Sequence, residues 1–163
     1  MSIVKTNAMR LLDKAGVSYK THGYDDLDGL IDGISVAGKI GRPPSQVFKT
    51  LVTQGASKNY HVFIIPVDYE LDLKAAAKAA GEKSIEMIKV SDIVKVTGYI
   101  RGGCSPLAMK KQYKTILDSS AADQETIIVS AGRIGSQIEL ASGDLLYMVG
   151  GQLGQVAFKH VIK

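Results

Sequence analysis

Lys49 lies inside an apolar hexapeptide, Val47-Phe48-Lys49-Thr50-Leu51-Val52. Strand alternation puts Lys49 on one face with Val47 and Leu51, and Phe48, Thr50 and Val52 on the other. Both faces are largely apolar, so both can be covered. A lysine in such a place either snorkels from a sheet edge or points an ammonium into a pocket. The pattern leaves the two readings open. In the second, a partly dry ammonium is suited to hold a carbonyl, a ribose hydroxyl or a phosphate.

A second segment with chemical potential is Thr97-Gly98-Tyr99-Ile100-Arg101-Gly102-Gly103-Cys104-Ser105-Pro106. Paired glycines let backbone N–H groups converge on an oxygen without obstruction from Cβ. They also mark plain turns, which is the commoner meaning of a glycine pair. The segment Ser130 to Gln137, with Gly132 and Gly135, is a weaker candidate of the same kind.

Other chemistries fail on their own requirements. Gly33-Ile-Ser-Val-Ala-Gly38-Lys39 resembles a phosphate loop, but Ile40 stands where a hydroxyl must hold magnesium, and no strand leads into it. Gly150, Gly151 and Gly154 lack the dinucleotide spacing. His22, His61 and His160 have no second ligand at helical or hairpin spacing, so no metal site is expected. No serine sits in a Gly-x-Ser-x-Gly elbow. Cys104 could be a nucleophile, yet a small loop thiol packed among glycines is the simpler reading.

The elements that must position these residues follow from periodicity and caps. Thr6 to Ala15 reads as a helix ended by Gly16, with Ala8, Leu11, Leu12 and Ala15 as its apolar stripe. Val17, Tyr19 and Thr21 alternate as a strand. Asp25 to Asp32 is an acidic loop, and a short helix up to Ile40 stops at Gly41. Val47–Thr53 and Tyr60–Val67 are strands. Asp72 caps a helix to Ala80, with Leu73, Ala76, Ala77 and Ala80 on one side. Ser84–Ile88 is a short strand, and Ser91 is expected to cap a helix ending at Gly98. Short strands follow at Thr115–Asp118, Thr126–Ser130, Gln137–Leu140 and Val156–Ile162. Leu145–Val149 fits either helix or strand. Strands interspersed with short helices, without regular alternation, predict an α/β fold: a mixed sheet, curved or barrel-like, with helices outside.

The chain's 163 residues suit a single domain, 1–163, with a core that needs neither disulfide nor metal. One cysteine and no secretory pattern from Met1 to Leu12 make the cytoplasm the expected compartment. No apolar run approaches a membrane span. A net charge of +4 permits an anionic partner without requiring one.

Taken together, these segments resemble the YbaK/EbsC family of aminoacyl-tRNA deacylases, related to the editing domain of bacterial prolyl-tRNA synthetases. The resemblance runs in order through Asn7–Leu12, Val47–Val52, Leu71–Lys74, Ala77–Gly81, Thr97–Pro106, Ile138–Leu140 and Gly143–Leu145. It implies a pocket for the aminoacylated 3′ adenosine of a charged tRNA. It implies that Lys49 and the oxygen-binding Gly102 are catalytic. Tyr24, Thr50, Gly103, Ser105 and Gln137 would bind substrate, with no metal or cofactor. Gln137 stands where some members carry an acidic residue, and an aromatic that some carry between Asp28 and Gly33 has no counterpart.

The aminoacyl ester is already activated, so no strong enzyme nucleophile is needed. The expected function is removal of a wrong amino acid from tRNA. Cys-tRNA(Pro) is the favoured substrate, with its own thiol attacking. The alternatives are another small amino acid such as alanine, cleared by water, or a non-catalytic module that binds a nucleotide or a synthetase. The RNA body would meet Lys110, Lys111 and Lys114, or Lys74, Lys78 and Lys83, with prolyl-tRNA synthetase as a further candidate partner.

Overall fold

The computed structural model describes residues 4–159. Helix α1 (Asn7–Ala15) begins where the Thr6 side chain accepts from the Met9 amide and ends at Gly16, whose φ of 72° suits glycine. Strand β1 (Lys20–Gly23) and helix α2 (Gly33–Ile40) follow. Next come β2 (Phe48–Gly55), β3 (Tyr60–Pro66) and the short β4 (Tyr69–Leu71). Asp72 caps α3 (Leu73–Ala80) through the amides of Lys74 and Ala75. Then β5 (Ile85–Met87), α4 (Ile93–Thr97), β6 (Lys114–Asp118), β7 (Ile127–Arg133) and β8 (Ser136–Leu140) lead to α5 (Ser142–Val149), β9 (Gln152–Gly154) and β10 (Ala157–Lys159).

Three expectations need adjusting. In α1, Leu11 and Ala15 are exposed, and the buried stripe is Ala8, Met9 and Leu12. Ser91 caps nothing: it lies inside a single 3-10 turn, Val90–Asp92, that runs directly into α4. Leu73 leaves the apolar stripe of α3 and is 44% exposed. Leu145–Val149, which fitted either element, is helical. The strand expected to reach Ile162 is described as far as Lys159; the rest of it, and His160, lie outside the described residues.

Five strands form the main sheet in the order β5-β2-β3-β6-β9, and three form a second in the order β1-β8-β7. The pairing is mixed: β2 is antiparallel to β3 and β5, whereas β6 is parallel to β3 and β9. These two sheets meet at one parallel bridge, Val47 with Ile128, and among the described residues they do not close into a barrel. The largest core lies between them, where Phe48, Val62, Ile64 and Leu117 face Ile127, Val129, Ile138 and Leu140, with α1 and α5 closing it. On the other face of the main sheet, the alanines of α3 pack on Phe63, Ile65 and Ile116. A third cluster seats Ala37 of α2 on Val47, Val67 and Ile128.

One detail of the pairing positions the site. β5 covers β2 only at Thr53–Gly55, and the bridge to β7 touches only Val47. Between them, the edge of β2 from Phe48 to Leu51 carries no ladder pairing among the described residues.

Candidate active site

A cavity of about 590 Å³ opens along this uncovered stretch. That volume is in the range of small-ligand pockets. Lys49, Thr50 and Leu51 supply one wall, Arg101, Gly102 and Cys104 a second, and Ser130 with Gln137 a third. The α2 region closes it with Gly29, Ile31 and Gly33.

Lys49 is half-buried, and its Nζ lies 3.5 Å from the Val67 carbonyl oxygen, a long contact. Burial lowers its pKa from the usual lysine value, although the carboxylates of Glu70 and Asp68 work the other way. The amine therefore lines the cavity as an ammonium held at a cost. The neighbouring Thr50 Oγ1 is buried and has no hydrogen-bond partner among the described residues. Two neighbouring residues that line the hollow thus carry an ammonium made costly by burial and a buried, unpartnered hydroxyl. Buried polar groups are normally paired, so an unpaired hydroxyl here calls for a reason.

Gly102 adopts φ 87°, and a Cβ on it would lie 2.8 Å from Ile31 Cδ1. The positive φ makes a side chain there unfavourable, and a Cβ would also push the end of the Ile31 side chain aside. The loop that carries it is braced from within. Tyr99 donates to the Leu107 carbonyl at 2.6 Å, and the Thr97 hydroxyl accepts from the Tyr99 amide at 3.0 Å. Gly103 and Ser105 do not line the cavity. A Cβ on Gly103 would press on the Ile134 amide at 3.2 Å, and the fully buried Ser105 accepts from the Leu107 amide. Tyr24 also stands outside the lining. Its amide donates to the Gly135 carbonyl at 3.0 Å, and its buried hydroxyl has no partner among the described residues.

Gln137 does line the cavity and is 6% exposed. Two residues on, Glu139 anchors this strand through His22 at 2.7 Å, Thr126 at 2.6 Å and Arg42 at 3.1 Å. Burial would raise the Glu139 pKa, but these partners hold it below the usual carboxylate value. Ser130 is a cavity residue that the sequence did not single out, although it opens the Ser130–Gln137 segment.

Residues 34–147 match the family model of the aminoacyl-tRNA editing domain. The chain belongs to this family. It is 44% identical over 156 residues to a protein from Enterococcus faecalis, EbsC, named as a candidate Cys-tRNA(Pro)/Cys-tRNA(Cys) deacylase. That match covers 96% of this chain and 95% of the relative. Among solved structures, a hypothetical protein superposes with TM-score 0.83 at 19% identity, covering 91% of this chain and 97% of the other. A candidate trans-editing enzyme for prolyl-tRNA synthetase superposes with TM-score 0.81 at 18% identity, covering 94% and 98%. These likenesses establish the mixed α/β editing fold.

In this editing domain Cys104 is an unpromising nucleophile. Burial pushes its thiol pKa up to about 11, so it is protonated at neutral pH. No three His, Cys, Asp or Glu side chains cluster as metal ligands among the described residues. No helix among them is long and apolar enough to cross a membrane.

A second hollow, of about 700 Å³, lies at the far end of the β2–β3 hairpin. Lys58, Lys111 and Lys114 line it beside Tyr60 and Tyr113. Its floor is knotted by Glu82, which accepts from the Ser57 hydroxyl at 2.5 Å and lies 2.6 Å from His61 Nε2. Those bonds hold the Glu82 pKa down at about 2.

Proposed function

We propose that this editing domain acts in trans in the cytoplasm, clearing cysteine from mischarged tRNA(Pro). The observation that carries the reading is the pairing of a strained ammonium, Lys49, with the unpartnered Thr50 hydroxyl in a hollow also lined by Gly102. Such groups hold the terminal ribose and the ester oxygen without having to reorganise. The relative's name supplies cysteine as the amino acid.

In the proposed step the substrate's own thiol sulfur bonds to its ester carbonyl carbon. The ester C–O bond breaks, and the thiol proton ends on the ribose oxygen. The products are the tRNA with a free terminal hydroxyl and a cyclic cysteine thioester, which water then opens. Lys49 and backbone N–H groups near Gly102 stabilise the transient oxyanion. Gln137 and Ser130 face the bound terminus. Tyr24, Gly103 and Ser105 act from behind the wall, keeping the loops in place. The RNA body reaches the basic hollow, where Lys58, Lys111 and Lys114 meet phosphates.

The test is a panel of mischarged tRNAs incubated with wild type and Lys49→Ala. Release of cysteine from Cys-tRNA(Pro) by wild type alone is expected. Release of alanine but not cysteine would make water the attacker. Release of nothing by wild type would leave a binding module.

A further inference from the structure

We infer that Lys39 is a positioning residue: it ties the loop before α2 to that helix, so that Ile31 closes the pocket wall beside Gly102 and limits the size of the amino acid admitted. This inference rests on the editing function proposed above. Lys39 belongs to the glycine-rich stretch that imitates a phosphate loop, but its ammonium is already occupied. It donates to the Asp25 carbonyl at 2.6 Å, to Asp28 Oδ1 at 2.7 Å and to the Leu30 carbonyl at 2.9 Å. An ammonium has three donors, so none is left for an outside anion. It also sits 5.9 Å from the centroid of the Tyr24 ring.

The loop has little else to hold it. Leu27 is 91% exposed and Leu30 53%, so burial of these side chains anchors nothing. Its remaining bonds are local: the Leu27 amide to Asp25, the Leu30 amide to Asp28, the Gly29 amide to the Asp26 carbonyl and the Ile31 amide to the Gly29 carbonyl. The helix at the other end of the tether is firm. Val36 and Ala37 are buried, and Gly33 approaches Val67 so closely that a Cβ would lie 2.3 Å from its Cγ1. The Lys39 fork therefore joins a loose segment to a fixed one. The far end of the loop carries Gly29 and Ile31 into the cavity wall, with Ile31 Cδ1 against Gly102.

The wall that Ile31 makes has a chemical consequence. An apolar wall discriminates by size at roughly tenfold or more per methylene, provided it cannot give way. Releasing the tether should let it give way while leaving Lys49 untouched.

The experiment compares wild type, Lys39→Met, Asp28→Asn and Ile31→Ala. Amide hydrogen exchange over residues 25–31 is read together with deacylation of tRNAs carrying small and bulky amino acids. Lys39→Met should speed loop exchange about tenfold while distant amides keep their rates. Its KM for the small substrate should rise about tenfold with kcat nearly unchanged, and bulky esters should be cleared faster by a similar factor. Asp28→Asn, which removes one partner at the exposed end, should move both readouts the same way by less, and it serves if Lys39→Met does not fold. Ile31→Ala should relax discrimination with the loop's exchange unaltered. Wild-type exchange in the Lys39 and Asp28 variants would overturn the tether, and intact size discrimination in all three would overturn the wall. A wild type inactive on every charged tRNA would sink the proposed function instead, while loop exchange would still report on the tether.

Discussion

Replacing Lys49 by methionine should slow the enzyme and stabilise the fold. Methionine keeps nearly the length and volume of the lysine stem, so packing changes little. What disappears is the ammonium. Its depressed pKa means that the folded state disfavours the charged form relative to the unfolded chain. The sign follows directly. The penalty is full below the lowered lysine value and is relieved as pH climbs from there to the unfolded-chain value of 10.5. Its hydrogen bond to the Val67 carbonyl is long at 3.5 Å and returns little. Because the side chain is half-buried and water screens the rest, the gain should be modest, about 1 kcal/mol or less. Activity should move the other way. Losing one preorganised oxyanion donor costs about 100- to 1,000-fold in kcat, or roughly 3–4 kcal/mol of barrier. Urea denaturation at pH 7 and single-turnover deacylation of Cys-tRNA(Pro), on the same preparation, read both numbers. A variant that is less stable than wild type would make Lys49 part of the scaffold. A variant within tenfold of wild-type rate would remove it from the chemistry.

Cys104→Ala should keep single-turnover deacylation within about threefold of wild type, because a thiol with pKa near 11 is not a thiolate at neutral pH. Acid stability should depend on Glu82. Its lowered pKa stabilises the fold above about 4.5, and that contribution is lost as pH falls toward about 2. Glu82→Gln should therefore flatten the acid limb of a thermal-melt series, and an unchanged limb would place the acid sensitivity elsewhere. Gly33→Ala should destabilise by about 1–3 kcal/mol in denaturant titration, since its methyl would overlap the buried Val67. Joint Lys58→Glu and Lys111→Glu substitution should weaken tRNA binding and reduce the slope of log affinity against log salt by roughly one to two. An unaltered slope in filter binding would move the RNA body to another face.

What the sequence disclosed was chiefly local. Thr6 with Gly16, and Asp72 with Gly81, are cap pairs whose chemistry is complete within one helix. The two long strands carry enough β-branched and aromatic residues to identify themselves. Two of the three-residue strands, Tyr69–Leu71 and Gln152–Gly154, were not visible, because each exists only through a distant partner, Ala157–Lys159 and Ile116–Asp118. Lys49 had two readings for the same reason: which one holds depends on where the neighbouring strand stops covering β2. Lys39 was read only as part of a failed motif, since its three acceptors lie 9 to 14 residues earlier in the chain. Ser91 looked like a cap, but the chain was already turning before it. The family was legible because its glycines hold positions such as Gly102, whose positive φ few other residues adopt.

The turn at Val90 has an effect on the whole molecule. Continued on its own register, the strand ending at Met87 would bring Lys89 and Val90 alongside Leu51 and Thr50. It would add ladder bonds there and seal the mouth. Instead the backbone swerves away at Val90. Grafting two or three residues to straighten that swerve would give a tougher, more barrel-like protein with nowhere to seat an aminoacyl end, so screening for heat resistance alone would tend to select dead enzymes.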